Sequence, residues 1–200
     1  MQFISKWLYV QHKFVDQPRA NSLCQRVSLK PRIEELILKI DAQIINFNSI
    51  IHELKTIYDN LLNERQLSIK ENNSQYSTLI SADIVNSTRI IKTLHLSKIA
   101  FEKLKNKLQR ISNFEDIVIG LAPAMTIVKN IRASLIQCIP ESQEELGSIS
   151  ELIGCILIDA GQIGGYTINF KAANDEALRL LNEASLSAVQ NIKKFYSISD

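Results

Sequence analysis

The stretch IEELILKIDAQIINFNSIIHELKTIYDNLL, residues 33–62, decides the fold. Within it Ile33, Ile37, Ile40, Ile44, Phe47, Ile51, Leu54, Tyr58 and Leu61 recur at alternating spacings of four and three. That is a heptad seam, widened on one flank by Leu36, Ile50 and Ile57. Pro31 stands just ahead of it, where a helix tolerates proline because the first-turn N–H groups have no intrahelical acceptor. A helix from about residue 31 to 70 is about 60 Å long at ~1.5 Å per residue, so it has to lie against another long element.

The next residues supply that element. A polar link, Glu71-Asn72-Asn73-Ser74-Gln75, is followed by Ile90, Leu94, Phe101, Leu104, Leu108 and Ile111, again at four-and-three positions with Ser97 filling one of them. Two long helices joined by a short polar link predict an antiparallel αα-hairpin. No glycine precedes Gly120 and no proline lies between Pro31 and Pro123. Strand proteins need turn residues far more often, which excludes an all-β fold, and a βαβ nucleotide-binding fold over the first 119 residues. The link holds neither glycine nor proline, so nothing local forbids the two helices from fusing into one rod, a hint of a switchable element.

Past Ser112 the pattern shortens, with segments expected to break at Gly120, Pro123, Pro140, Gly147, Gly154, Gly161 and the pair Gly164-Gly165. Ile127, Ile131 and Leu135 predict one face of a short helix ending at Pro140. A further helix opens there with acids in its first turn. The last helix, about Asn174 to Phe195, carries a small-residue stripe of Ala177, Leu181, Ala184 and Ala188. The resulting division is an amphipathic and basic segment over 1–30, a helical core over 31–160, a flexible link over 161–173 and a C-terminal regulatory helix over 174–200. With 200 residues, 46% of them hydrophobic, the expectation is an all-α fold with shorter C-terminal helices packed back on the hairpin or extended in a polymer.

Charge is segregated. Residues 1–32 carry six cations against one acid, a net +5, and residues 136–200 carry four cations against nine acids, a net −5. A basic front suits an anionic surface, and an acidic back can shield it. Arg89, Lys92, Lys98, Lys103, Lys105, Lys107 and Arg110 form a basic face on the second helix, opposed between 89 and 110 only by Glu102. Without aromatic interleaving or a nucleic-acid-binding motif, acidic lipid is the better match and no specific nucleic acid is expected. At the N-terminus Phe3, Ile4, Trp7 and Leu8 fall near one helical face, with Lys6 and Lys13 elsewhere. Such a segment lies in a lipid interface or docks on its own bundle or a neighbouring subunit. The uncharged run Ile117–Val128 is too short to cross a bilayer, so peripheral membrane contact is expected.

Catalytic signals are absent: the sequence has no GxxxxGK[ST], GxSxG or HExxH pattern. Cys24, Cys138 and Cys155 are dispersed, and His12, His52 and His95 are isolated. No metal, cofactor or enzymatic activity is expected, and the odd thiols fit a reducing cytoplasm.

Several local stretches resemble archaeal cell-division proteins of the ESCRT-III (Snf7-like) family. Leu29-Lys30-Pro31-Arg32-Ile33-Glu34-Glu35 and Ala42-Gln43-Ile44 are similar to its first helix. Phe101-Glu102-Lys103-Leu104 and Leu108-Gln109-Arg110-Ile111 resemble the end of its second. Leu121-Ala122-Pro123-Ala124, Cys138-Ile139-Pro140-Glu141 and Asn174-Asp175-Glu176-Ala177 through Glu183-Ala184 are similar to the archaeal branch.

The resemblance implies a non-enzymatic subunit that polymerises on acidic membranes, with itself and with paralogous subunits. It implies work at the inner face of the cell membrane at the division site. Phe3, Ile4, Lys6, Trp7, Leu8, Lys13, Arg19, Arg26, Lys30 and Arg32, with the basic face of the second helix, are then the lipid-contacting set. Release of the last helix, with Ala177, Leu178, Leu181, Glu183, Ala184 and Ala188, permits assembly. A Vps4-like AAA ATPase is the implied remodeller. The proline-rich recruiting motif has no counterpart after Pro140, and the leucine-arginine-leucine pattern is incomplete, so its contact is expected to be indirect. The alternative from a different class is a helical adaptor that docks a protein partner and never meets lipid.

Overall fold

The computed structural model describes residues 28–136, 138–165 and 167–196. Among these the chain is all helical. Five α-helices follow in order: α1 (Leu29–Lys70), α2 (Ser74–Leu108), α3 (Phe114–Leu135), α4 (Gln143–Gly164) and α5 (Phe170–Tyr196). A short 3-10 turn, Pro140–Ser142, leads into α4.

The seam read from the sequence holds α1 to α2. Ile33, Ile40, Ile44, Phe47 and Ile51 are buried, as are Leu94, Phe101, Leu104 and Leu108, while Ile37, Leu54, Tyr58 and Leu61 are half-buried. Phe47 and Phe101 stack with ring centroids 5.8 Å apart. Leu36 belongs to the deepest layer, whereas Ile57, expected on the flank of the seam, is 48% exposed. The reason is that packing stops partway along the hairpin. Between residues 52 and 90 only Ser68, Ile80 and Ser87 are buried. α4 packs on α1, α3 on α2, and α5 on both α2 and α3, so the base of the hairpin is the heart of a bundle. The distal part is a two-helix arm.

The turn needs no glycine because Asn72 takes the left-handed conformation, φ 57°, which asparagine tolerates better than most residues. Asn73 then caps α2, its side chain accepting from the Tyr76 N–H at 3.2 Å. At α3, Asn113 accepts from the Asp116 N–H at 2.8 Å, and Asp116 accepts from the Ser112 N–H at 3.1 Å.

Two expectations are corrected here. Gly120 and Pro123 do not break the chain but lie inside α3, and Gly147, Gly154 and Gly161 lie inside α4. At Gly120 close packing explains the glycine, since a Cβ there would meet Ile111 at 3.3 Å, whereas one on Gly154 would make an ordinary contact with Met125 at 3.5 Å. The interruption expected over 161–173 narrows to 165–169. It is set by Gly165, φ 64°, and by Asn169, whose side chain accepts from the Ala172 N–H at 3.1 Å. In addition, Glu115–Leu135 and Pro140–Gly164 are each long and apolar enough to cross a membrane by length and composition. In this structure those helices pack on each other, burying Leu121, Ile127, Ile131, Leu146, Ile149, Ile153 and Ile156 in the core.

Candidate functional site

The acidic last helix lies on the basic second one. Lys103 and Lys107 are one turn apart on α2, and Glu176 and Glu183 two turns apart on α5, so each pair occupies a single face. The helices run antiparallel, and the faces meet: Lys103 Nζ donates to Glu183 Oε2 at 2.8 Å, and Lys107 Nζ to Glu176 Oε1 at 3.0 Å. Arg179 sits between the two acids, donating to Glu176 from Nε and Nη2 at 2.8 and 2.9 Å and to Glu183 from Nη1 at 2.7 Å.

Beneath this polar clamp α5 approaches through small residues. Ala173, Ala177, Ala184 and Ala188 are buried with Leu180, and Leu181 is half-buried. The hydrogen bond from Arg179, helped by Lys107, holds the Glu176 carboxyl down to about 2. Lys103 lowers Glu183, and Glu176 raises Arg179.

The basic set is thus divided rather than presented as one face. Lys103 and Lys107 are covered by α5, while Lys105 turns the other way and binds Asp41 of α1 at 2.6 Å. Lys98 pairs along its own helix with Glu102 at 3.7 Å. Arg89, Lys92 and Arg110 are exposed, Arg89 reaching Asn86 at 3.2 Å.

Of the expected N-terminal lipid set, Phe3, Ile4, Lys6, Trp7, Leu8, Lys13, Arg19 and Arg26 lie outside the described residues, and Lys30 is exposed. Arg32 is a correction. It is buried and ion-paired with Asp159 of α4, with its Nε and Nη2 lacking hydrogen-bond partners, and so is turned away from any surface. On α5, Ala177, Ala184 and Ala188 are buried against the bundle, and Leu178 is exposed.

Sequence reasoning missed Glu176, although an acid two turns from Glu183 with an arginine between them was visible. It also missed the Arg32–Asp159 and Lys105–Asp41 pairs, for which no local signal exists. Among the described residues no group of three or more His, Cys, Asp or Glu side chains could hold a metal. His95 is half-buried, and burial lowers its pKa with help from Lys98.

The chain is similar to Cell division protein B1 of Sulfolobus acidocaldarius, 27% identical over 172 residues, which cover 85% of this chain and 80% of that protein. It is also similar to Cell division protein B of the same organism, 23% identical over 170 residues, covering 85% of this chain and 65% of that protein. No protein-family model and no solved structure matches it.

Proposed function

We propose that this member of the archaeal ESCRT-III-type cell-division family is a non-enzymatic filament subunit that assembles on acidic membrane at the division site. In this reading the described structure is the closed form. The observation that carries it is the seating of Glu176 and Glu183 on Lys107 and Lys103. An acidic helix occupying lysines on a basic helix competes with any anionic surface for the same charges. Release of α5 frees Lys103 and Lys107 to join Arg89, Lys92 and Arg110. The paralogous division subunits are the proposed co-assembling partners, and an AAA ATPase of the Vps4 type the proposed remodeller.

The test is co-sedimentation of the full chain with vesicles containing acidic lipid, followed by electron microscopy. Binding should be weak for the parent and lost in high salt. It should rise in the Glu176→Lys, Glu183→Lys double variant, with filaments on the vesicles. If the double variant binds no better than the parent and neither forms filaments, the adaptor alternative replaces this reading.

A further inference from the structure

We propose that α1 carries a second association face, used by a second copy of this chain lying antiparallel to it. Leu38, Ala42, Ile45, Ser49, His52 and Thr56 recur at alternating four and three spacings, and every one is exposed. They lie on the side of α1 opposite Leu36, Ile40 and Phe47, so the helix bears two seams and its own bundle uses one. Leu38 is 69% and Ile45 68% exposed, and the stripe contains no charged residue over about 27 Å of helix.

The flanks of the stripe are already engaged. α2 takes one through Lys105 and Asp41. α4 takes the other through Arg32 with Asp159 and through Lys39, which donates to Ser148 at 3.2 Å. What remains is a strip the width of one helix.

The charges bordering the strip select the occupant. Glu34 and Lys55 border it on one side, and on the other Glu53 and Lys39, whose side chain stays 38% exposed beside Ser148. Facing borders in an antiparallel helix pair are the same side of each helix. Centring such a pair between Ile45 and Asn46 brings Glu34 to within about 3 Å along the axis of Lys55 and Lys39 to within about 1.5 Å of Glu53, each contact occurring twice by symmetry. The same alignment sets Ala42 against Ser49, leaving room for Ile45 to pack near its counterpart. A parallel pair also sets Glu34 against Lys39 of the copy, but it leaves Lys55 facing Asn60 and Glu53 facing Asn48, and it brings the two Glu35 side chains together across the strip. Acidic lipid is a poorer occupant, because Glu34, Glu35 and Glu53 rim the strip and repel it. The proposal rests on the self-association part of the proposed function and is independent of its membrane part.

Cross-linking of the full chain tests it, with Cys24, Cys138 and Cys155 replaced by serine. On oxidation Ile45→Cys should give a disulfide-linked dimer. Ala42→Cys and Ser49→Cys should give little alone and a heterodimer when mixed. Ala42→Cys dimerising alone as readily as Ile45→Cys would mean a parallel pair and overturn the proposal, as would no dimer from any of them.

Sedimentation provides the second arm. Ile45→Glu, at an exposed position that leaves the fold intact by circular dichroism, should weaken self-association at least tenfold. Unchanged self-association of Ile45→Glu, with vesicle binding lost instead, would assign the strip to lipid and sink the proposal. Cross-linking in the predicted pattern by a chain that binds no vesicles would uphold it while defeating the membrane part of the proposed function.

Discussion

Lys107 on α2 and Glu176 on α5 stand 3.0 Å apart, and Arg179 shares the same carboxylate from one turn further along α5. The acid is therefore neutralised both across the helix interface and within its own helix. Only the first of these contacts is lost when α5 leaves, which divides its acid sensitivity into two separable parts.

The Glu176 carboxyl titrates at about 2 because Arg179, first, and Lys107, second among its cationic partners, favour its charged form. A depressed carboxylate stabilises the fold fully above its ordinary value near 4.5 and loses that contribution as pH falls toward 2. Carbon-13 carboxyl shifts should place the midpoint near 2. Arg179→Met should raise it more than Lys107→Met. The reverse order would show that the interhelix contact dominates.

Arg32 and Asp159 tie the first turn of α1 to α4. Removing one partner of a buried pair leaves an uncompensated charge, at a cost of about 3–5 kcal/mol. The Asp159 side chain is 29% exposed, which puts Arg32→Met toward the low end of that range. Replacing both residues, Arg32→Met with Asp159→Leu, should recover most of the loss. Urea unfolding of Arg32→Met, Asp159→Leu and the double variant measures the coupling.

The hairpin should be unevenly stable along its length. Phe101→Ala, at a fully buried site, should cost about 3–5 kcal/mol through lost transfer energy and the cavity left behind. Leu61→Ala, at a half-buried site in the arm, should cost about 1 kcal/mol. Hydrogen exchange should also show amides of 52–70 and 74–90 opening before those at the base.

The Asn72 turn tests the idea of a straightening hairpin. Asn72→Gly should hold the turn at least as well, because glycine adopts a positive φ without strain. Asn72→Ala should destabilise it by about 1 kcal/mol, since alanine keeps the Cβ that disfavours this conformation but lacks the short polar side chain that lets asparagine tolerate it. If straightening accompanies assembly, Asn72→Ala should also speed filament growth and Asn72→Gly slow it, as read by light scattering.

By itself the sequence determined the long hairpin. Ile33 through Leu61 state a seam that only an α-helix satisfies, and the absence of glycine and proline between Pro31 and Gly120 leaves no other fold for them. It likewise determined the segregation of charge, because counting residues needs no coordinates. What the tertiary structure decided is where that charge goes. Lys103, Lys105 and Lys107 read as one basic run, yet 100° of rotation per residue sends Lys105 to Asp41 and its neighbours to α5. Arg32 looked like part of a basic surface until Asp159, far away in sequence, arrived to bury it. Pro123 and the glycines of α4 read as breaks, but the packing of α3 against α4 outweighs a local cost of about 3 kcal/mol for the proline and about 1 kcal/mol for each glycine. Periodicity is a property of one helix and is legible in one segment, whereas the partner of a side chain depends on which second helix lies beside it.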